Sequence, residues 1–118
     1  MNIEEIREYC LSKPEVMESF PFDEFSLVFK VMDKMFALLP LELNDRISLK
    51  CDPERAIELR EAYHGVEGAY YFNKKYWNSV RLDADVSEEL VKELIDHSYD
   101  EVVKKLPRKQ QALIKGTE

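Results

Sequence analysis

The stretch FSLVFKVMDKMFALL, Phe25 to Leu39, decides the fold. In its first half Phe25, Leu27, Phe29 and Val31 alternate with Ser26, Val28 and Lys30. A period of two puts the first set on one face of a strand and the second on the other, which predicts a half-buried strand. Asp33-Lys34 supplies a turn, and Met35 to Leu39 then reads as a second strand, apolar on both faces and ended by Pro40.

Downstream, Arg46 to Lys50 alternates again, with Ile47, Leu49 and Cys51 inward and Arg46, Ser48 and Lys50 outward. Asp52-Pro53 follows as an N-cap with proline at the first helical position, opening a helix to about Tyr63. Gly65 and Gly68 break the chain. Tyr70 to Phe72 and Tyr76 to Leu82 then read as a hairpin turning through Asn73-Lys74-Lys75. Ser87 caps a final helix whose stripe is Leu90, Leu94, Ile95, Tyr99, Val102 and Leu106, and Pro107 ends it. Upstream, Asn2 with Glu5 forms a capping pair for a short first helix carrying Ile3, Ile6 and Cys10. The expected fold is therefore α+β. A single domain over residues 1–107 has an open antiparallel sheet with helices packed on one face, and residues 108–118 form a basic, flexible tail.

Composition agrees with one packed domain. The 118 residues are 45% hydrophobic and 11% aromatic, too apolar for a disordered chain. The longest apolar run, Met35 to Leu41, is too short to cross a bilayer. The opening Met1 to Ile6 lacks the basic start and apolar stretch of a secretory signal, so a cytoplasmic location is expected. Cys10 and Cys51 are the only cysteines and read as small core hydrophobes.

The formal net charge is −7, which opposes indiscriminate attraction to nucleic acid. The excess is uneven: residues 1–68 hold 8 basic against 15 acidic side chains, and residues 69–118 hold 9 of each. If the helices cover one side of the sheet, the strands' polar alternates share the other. They are Ser26, Lys30, Arg46, Ser48, Lys50, Trp77, Ser79 and Arg81, with no acid among them. Lys74 and Lys75 extend that face at the hairpin tip. A cationic face suits an anionic ligand, with Trp77 exposed to stack on it; lysine and arginine also suit exposed strands, where they discourage edge pairing. The hairpin aromatics suit cross-strand packing.

Chemistry for catalysis is sparse. His64 and His97 have no second ligand at metal spacing, so neither a metal nor another cofactor is expected. Asp96-His97-Ser98 has the residue types of a hydrolytic triad, but consecutive helical residues point apart, and packing with local hydrogen bonding is the expected role of Ser98 and Tyr99. Gly65 and Gly68 lack the lysine of a phosphate loop.

Five segments carry a family likeness: Phe20 to Phe22, Phe29 to Leu38, Leu49 to Pro53, Asn73 to Val80 and Ser98 to Pro107. In that order, across nearly the whole chain, they resemble the successive signatures of the MmcQ/YjbR family. The resemblance implies a double-wing fold, an assignment as a DNA-binding protein, and Lys74, Lys75, Trp77 and Asn78 as motif positions. Tyr71 and Tyr76 stand where the family usually has histidine, which removes any protonation switch or metal at that hairpin. The expected function is nonenzymatic DNA binding, weak and salt-sensitive, through Lys30, Arg46, Lys50, Lys74, Lys75, Trp77, Asn78 and Arg81. The alternative is an interaction domain taking an acidic protein partner on the same face.

Overall fold

A computed structural model describes residues 1–69 and 72–115. The elements are α1 (Ile3–Leu11), β1 (Val16–Ser19), β2 (Ser26–Val31), β3 (Lys34–Pro40), β4 (Arg46–Lys50), α2 (Pro53–Ala62), β5 (Val66–Gly68), β6 (Trp77–Arg81), α3 (Glu88–Val103) and α4 (Arg108–Lys115). The strands form one antiparallel sheet in the order β1-β2-β3-β4-β6-β5.

Local chemistry sets most boundaries. Asn2 Oδ1 accepts the Glu5 N–H at 2.8 Å and Glu5 Oε1 accepts the Asn2 N–H at 3.0 Å, a reciprocal cap for α1. Asp52 and Ser87 cap α2 and α3 by accepting from the Arg55 and Leu90 N–H groups at 3.1 Å. Between β2 and β3 the chain reverses through Met32 and Asp33, both at positive φ (48° and 64°), the twist that a two-residue hairpin needs. A bulge follows where Phe29 faces Ala37 but Lys30 faces Met35. It turns two successive residues, Phe36 and Ala37, into the core.

The inner face of the sheet is apolar. Leu27, Phe29, Val31, Phe36, Leu39, Ile47, Leu49 and Val80 pack against Ile6 and Cys10 of α1, Ala56 and Leu59 of α2, and Val91, Leu94, Ile95, Tyr99 and Val102 of α3. Each fully buried side chain of this size contributes about 1.5–3 kcal/mol of transfer free energy, which the amphipathic helices collect by lying on one side. Phe36 and Tyr99 meet edge to face at 5.4 Å, and the Tyr99 hydroxyl donates to the Pro14 carbonyl at 2.6 Å, fixing α3 against the α1–β1 connection.

Several elements depart from the sequence reading. The edge strand β1 is additional. The partner of β6 is Val66–Gly68 rather than residues 70–72: β4 and β5 flank β6 on its two sides, and the Ala69 N–H extends the β5 pairing by bonding to the Trp77 carbonyl. Tyr70 and Tyr71 lie outside the described residues. Gly68 sits within β5 instead of breaking it: a Cβ there would lie 3.0 Å from Lys74 Cγ and Cδ, so the missing side chain makes room for the lysine stem. The final helix stops at Val103, and Leu106 is buried beyond it. The basic segment after Pro107 is helical over Arg108–Lys115, an element absent from the sequence reading, and Ile114 packs against the core.

Candidate functional site

The side of the sheet away from the helices is the open one, and strand register sorts its residues into rows. One row contains the directly paired Arg46 and Arg81, the next Leu38, Ser48, Ser79 and Glu67, and the third Lys50 and Trp77.

The arginine row is compensated. Asp45 accepts from Arg46 Nε at 2.8 Å and Nη2 at 3.2 Å, and lies 3.6 Å from Arg81 Nη2. Asp83 accepts from Arg81 Nε and Nη2, both at 3.2 Å. These hydrogen bonds hold the Asp45 and Asp83 carboxyls below the usual carboxylate range. The acid-free face expected from strand alternation thus acquires two carboxylates from strand flanks and a third, Glu67, from β5.

The opposite end is different. Tyr76 precedes β6, and its ring has Lys75 Nζ 5.4 Å and Lys105 Nζ 5.6 Å from its centroid. Burial lowers the Lys50 pKa, and the positive charges of Lys105 and Lys34 lower it further. Glu101 also acts on Lys50, but it is buried and ion-paired to Lys104 at 2.5 Å. Tertiary structure brings Lys34 from the start of β3 and Lys105 from just beyond α3 beside Lys50 of β4, and Lys105 meets Lys75 of the β5–β6 connection across Tyr76. Lys30, opposite Met17 and Met35, continues this end of the face.

Between the two ends lies a groove of about 580 Å³. Leu38, Ser48 and Ser79 form its floor, Phe22 and Leu43 reach it from the β1–β2 and β3–β4 connections, and Phe72 from the β5–β6 connection. Among the described residues neither the Ser48 nor the Ser79 hydroxyl has a hydrogen-bond partner within the protein.

Two sequence-predicted positions change role. Trp77 is only 9% exposed, because Phe72 stacks on its ring at 4.7 Å and 22°. Asn78 is 2% exposed; its Nδ2 donates to the Ala56 carbonyl at 3.2 Å and its Oδ1 accepts from Arg60 Nε at 2.8 Å. It fastens α2 to the inner side of the sheet and is not available to a ligand. The stem of Lys74 covers Gly68 and its carbonyl accepts from Arg60 Nη2. Lys34, Lys105 and the groove were not among the predicted site residues. Lys105 follows α3 by two residues, and its proximity to Tyr76 leaves no mark in the sequence.

The Asp96-His97-Ser98 run disperses as helical geometry requires. Asp96 accepts from the Tyr9 hydroxyl at 2.7 Å and pairs with Lys13 at 2.5 Å. His97 Nε2 accepts the Asp52 N–H at 3.1 Å. The bonds of Ser98 are tertiary rather than local: its Oγ accepts the Lys50 N–H at 2.9 Å and donates to the Phe36 carbonyl at 2.5 Å. Burial pushes the Cys10 thiol up to about 12 and Cys51 to about 11, far from the thiolate form. Among the described residues no group of three His, Cys, Asp or Glu is placed to hold a metal, and no helix is long and apolar enough to cross a membrane.

The fold and the face define a small α+β domain that keeps its helices to one side of an antiparallel sheet and leaves the other side open. The chain belongs to the YjbR family, whose model matches residues 11–101. It is 33% identical over 115 residues to the uncharacterized protein YjbR of Escherichia coli K12, covering 97% of this chain and 98% of that one. It is 32% identical over 114 residues to the uncharacterized protein YbdF of Escherichia coli O157:H7, covering 95% and 93%. The crystal structure of Deinococcus radiodurans protein DR2400 superimposes with a TM-score of 0.87 at 40% identity, covering 95% of this chain and 87% of that chain. A Pseudomonas syringae protein of known crystal structure gives a TM-score of 0.69 at 28% identity, covering 83% and 96%.

Proposed function

We propose that this chain is a nonenzymatic nucleic-acid-binding module that meets the sugar-phosphate backbone with the lysine-rich end of its open sheet face. The observation carrying this reading is the grouping of Lys105 and Lys34 beside Lys50, with Lys105 and Lys75 over the Tyr76 ring, in a protein whose net charge is −7. Bringing like charges together costs electrostatic free energy, Lys105 and Lys34 adding to the lowering of the Lys50 pKa that burial begins, and an anionic ligand removes that cost. Lys30 and Lys74 extend the footprint. Arg46 and Arg81 contribute less, since each is already engaged by a carboxylate.

Affinity should be in the range of nonspecific binding, with Kd of roughly 10⁻⁴–10⁻⁶ M, and should fall steeply with salt. Titration of labelled DNA from low to physiological salt tests it. Lys50→Gln, Lys75→Gln and Lys105→Gln should each remove about one unit of the log–log salt slope. Absence of binding at about 10⁻⁴ M protein in low salt would refute the reading.

One observation favours a protein partner instead. Met17, Phe20, Phe22 and Phe25, along β1 and the loop after it, are 74%, 48%, 64% and 44% exposed, an apolar strip that suits partner docking. Binding of an acidic protein that is weakened both by Lys50→Gln and by Met17→Ser in the strip, with DNA left unbound, would favour that reading.

A further inference from the structure

The lysine end accounts for backbone contacts but leaves the groove in the middle of the face unused. Its volume, about 580 Å³, is that of a small-ligand site. Its shape excludes one mode of recognition. Duplex DNA is read by elements that protrude into its grooves, whereas this surface is concave and can only receive something that protrudes from the ligand. In a nucleic acid that something is an unstacked base, which exists in single strands and not in a closed duplex.

The lining has the matching chemistry. Phe22, 64% exposed, and Phe72 offer aromatic faces at the groove from two separate connections. On the floor, Ser48 and Ser79 are directly opposed on β4 and β6, and their hydroxyls have no partner within the protein among the described residues. A hydroxyl donates and accepts, so the pair can meet a base edge that carries both functions. The charge pattern fixes the direction in which a nucleotide would lie. Of the charged residues that line the groove, Glu67 and Asp23 repel a phosphate and Arg46 is held by Asp45, while Lys50, as far along β4 from Ser48 as Arg46 but in the other direction, about 7 Å, stands at the lysine end. A neutral base over the serines would thus have its phosphate beside the lysines.

We infer that the groove over Ser48 and Ser79 receives an unpaired nucleobase, making the chain a binder of single-stranded rather than duplex nucleic acid. This rests on the function proposed above and names the form of its ligand. Thymidine and uridine homopolymers present the same kind of edge, so both serve as probes and together distinguish DNA from RNA.

The test compares four labelled probes of equal length, by fluorescence anisotropy with the full chain: a thymidine strand, a uridine strand, an abasic strand with the same phosphates, and a duplex. At least one base-bearing single strand should bind about fivefold or more tighter than the abasic strand, from stacking of about 1–3 kcal/mol per base, and tighter than the duplex. Phe22→Ala, at an exposed position, should remove that advantage while leaving abasic binding unchanged. Ser48→Val, a second change that spares the lysines, should do the same. Lys50→Gln should weaken every probe together. Equal affinity for abasic and base-bearing strands, or a duplex bound as tightly, would overturn the inference while leaving backbone binding intact. Failure of all four probes to bind would overturn both.

Discussion

Ser98→Ala removes one oxygen atom and should cost a large share of the stability. The ladder between β3 and β4 is short, running through Ala37 opposite Leu49 and Leu38 opposite Ser48. One step further, where the bulge has displaced Phe36, the Lys50 N–H and the Phe36 carbonyl do not meet each other. Each goes to Ser98 Oγ, at 2.9 Å and 2.5 Å, so a side chain from α3 takes the place of a ladder bond. Ser98 is 0% exposed, and its loss leaves a buried carbonyl and a partly buried N–H without partners. At about 1–3 kcal/mol for each orphaned group the penalty is about 2–6 kcal/mol, against total stabilities of about 5–15 kcal/mol. For a domain of this size that lowers Tm by about 8–24 °C. Urea denaturation gives the free energy, and hydrogen exchange at the Lys50 amide gives the local effect, a loss of protection. A loss below about 0.5 kcal/mol, with Lys50 still protected, would show that the two strands close directly and that Ser98 is not their bridge.

Asn78→Ala should destabilise by about 1–3 kcal/mol in the same assay, because the Arg60 guanidinium and the Ala56 carbonyl both lose a partner; an unchanged urea midpoint would refute that role. His97 has its pKa lowered, first by burial and then by Arg55, and its Nε2 accepts the Asp52 N–H, which only the neutral ring can do. The unfolded chain therefore binds the proton more readily, and the contribution of His97 is complete above about pH 6.5 and declines as pH falls toward the lower folded value. Wild type should lose urea resistance between pH 7.5 and 5.5, and His97→Gln should lose less; equal losses would contradict the assignment. Asp45→Asn removes the carboxylate shared by Arg46 and Arg81, so DNA affinity at low salt should rise and the salt slope steepen; no change would mean that neither arginine lies within the ligand footprint.

The strands from Ser26 to Lys50 and the three caps were legible because alternation and capping are local. β1 was not, since Val16–Ser19 carries too few residues to show a period and is held by pairing with β2. The partner of β6 was misplaced because the aromatic run at 70–72 has strong strand propensity, while Val66–Gly68 has two glycine-flanked positions that read as a break. At the site, the cations on strands could be counted from alternation, but Asp45 and Asp83 sit just outside the strand ends, where alternation says nothing about direction. Ser98 was legible as a residue that packs and bonds, but its partners are 48 and 62 positions away and belong to the tertiary structure.

The strand order carries a consequence for synthesis. β1 to β4 are consecutive both in the chain and in space, so four strands can pair as soon as Lys50 has emerged. Their inner face, with Phe29, Phe36, Leu39 and Ile47, is covered largely by α3, which ends at Val103. At about 5–20 residues per second the nascent sheet waits roughly 3 to 10 s for that helix. During that interval the chain presents its stickiest surface to the ribosome's surroundings, and holding it would be work for a chaperone.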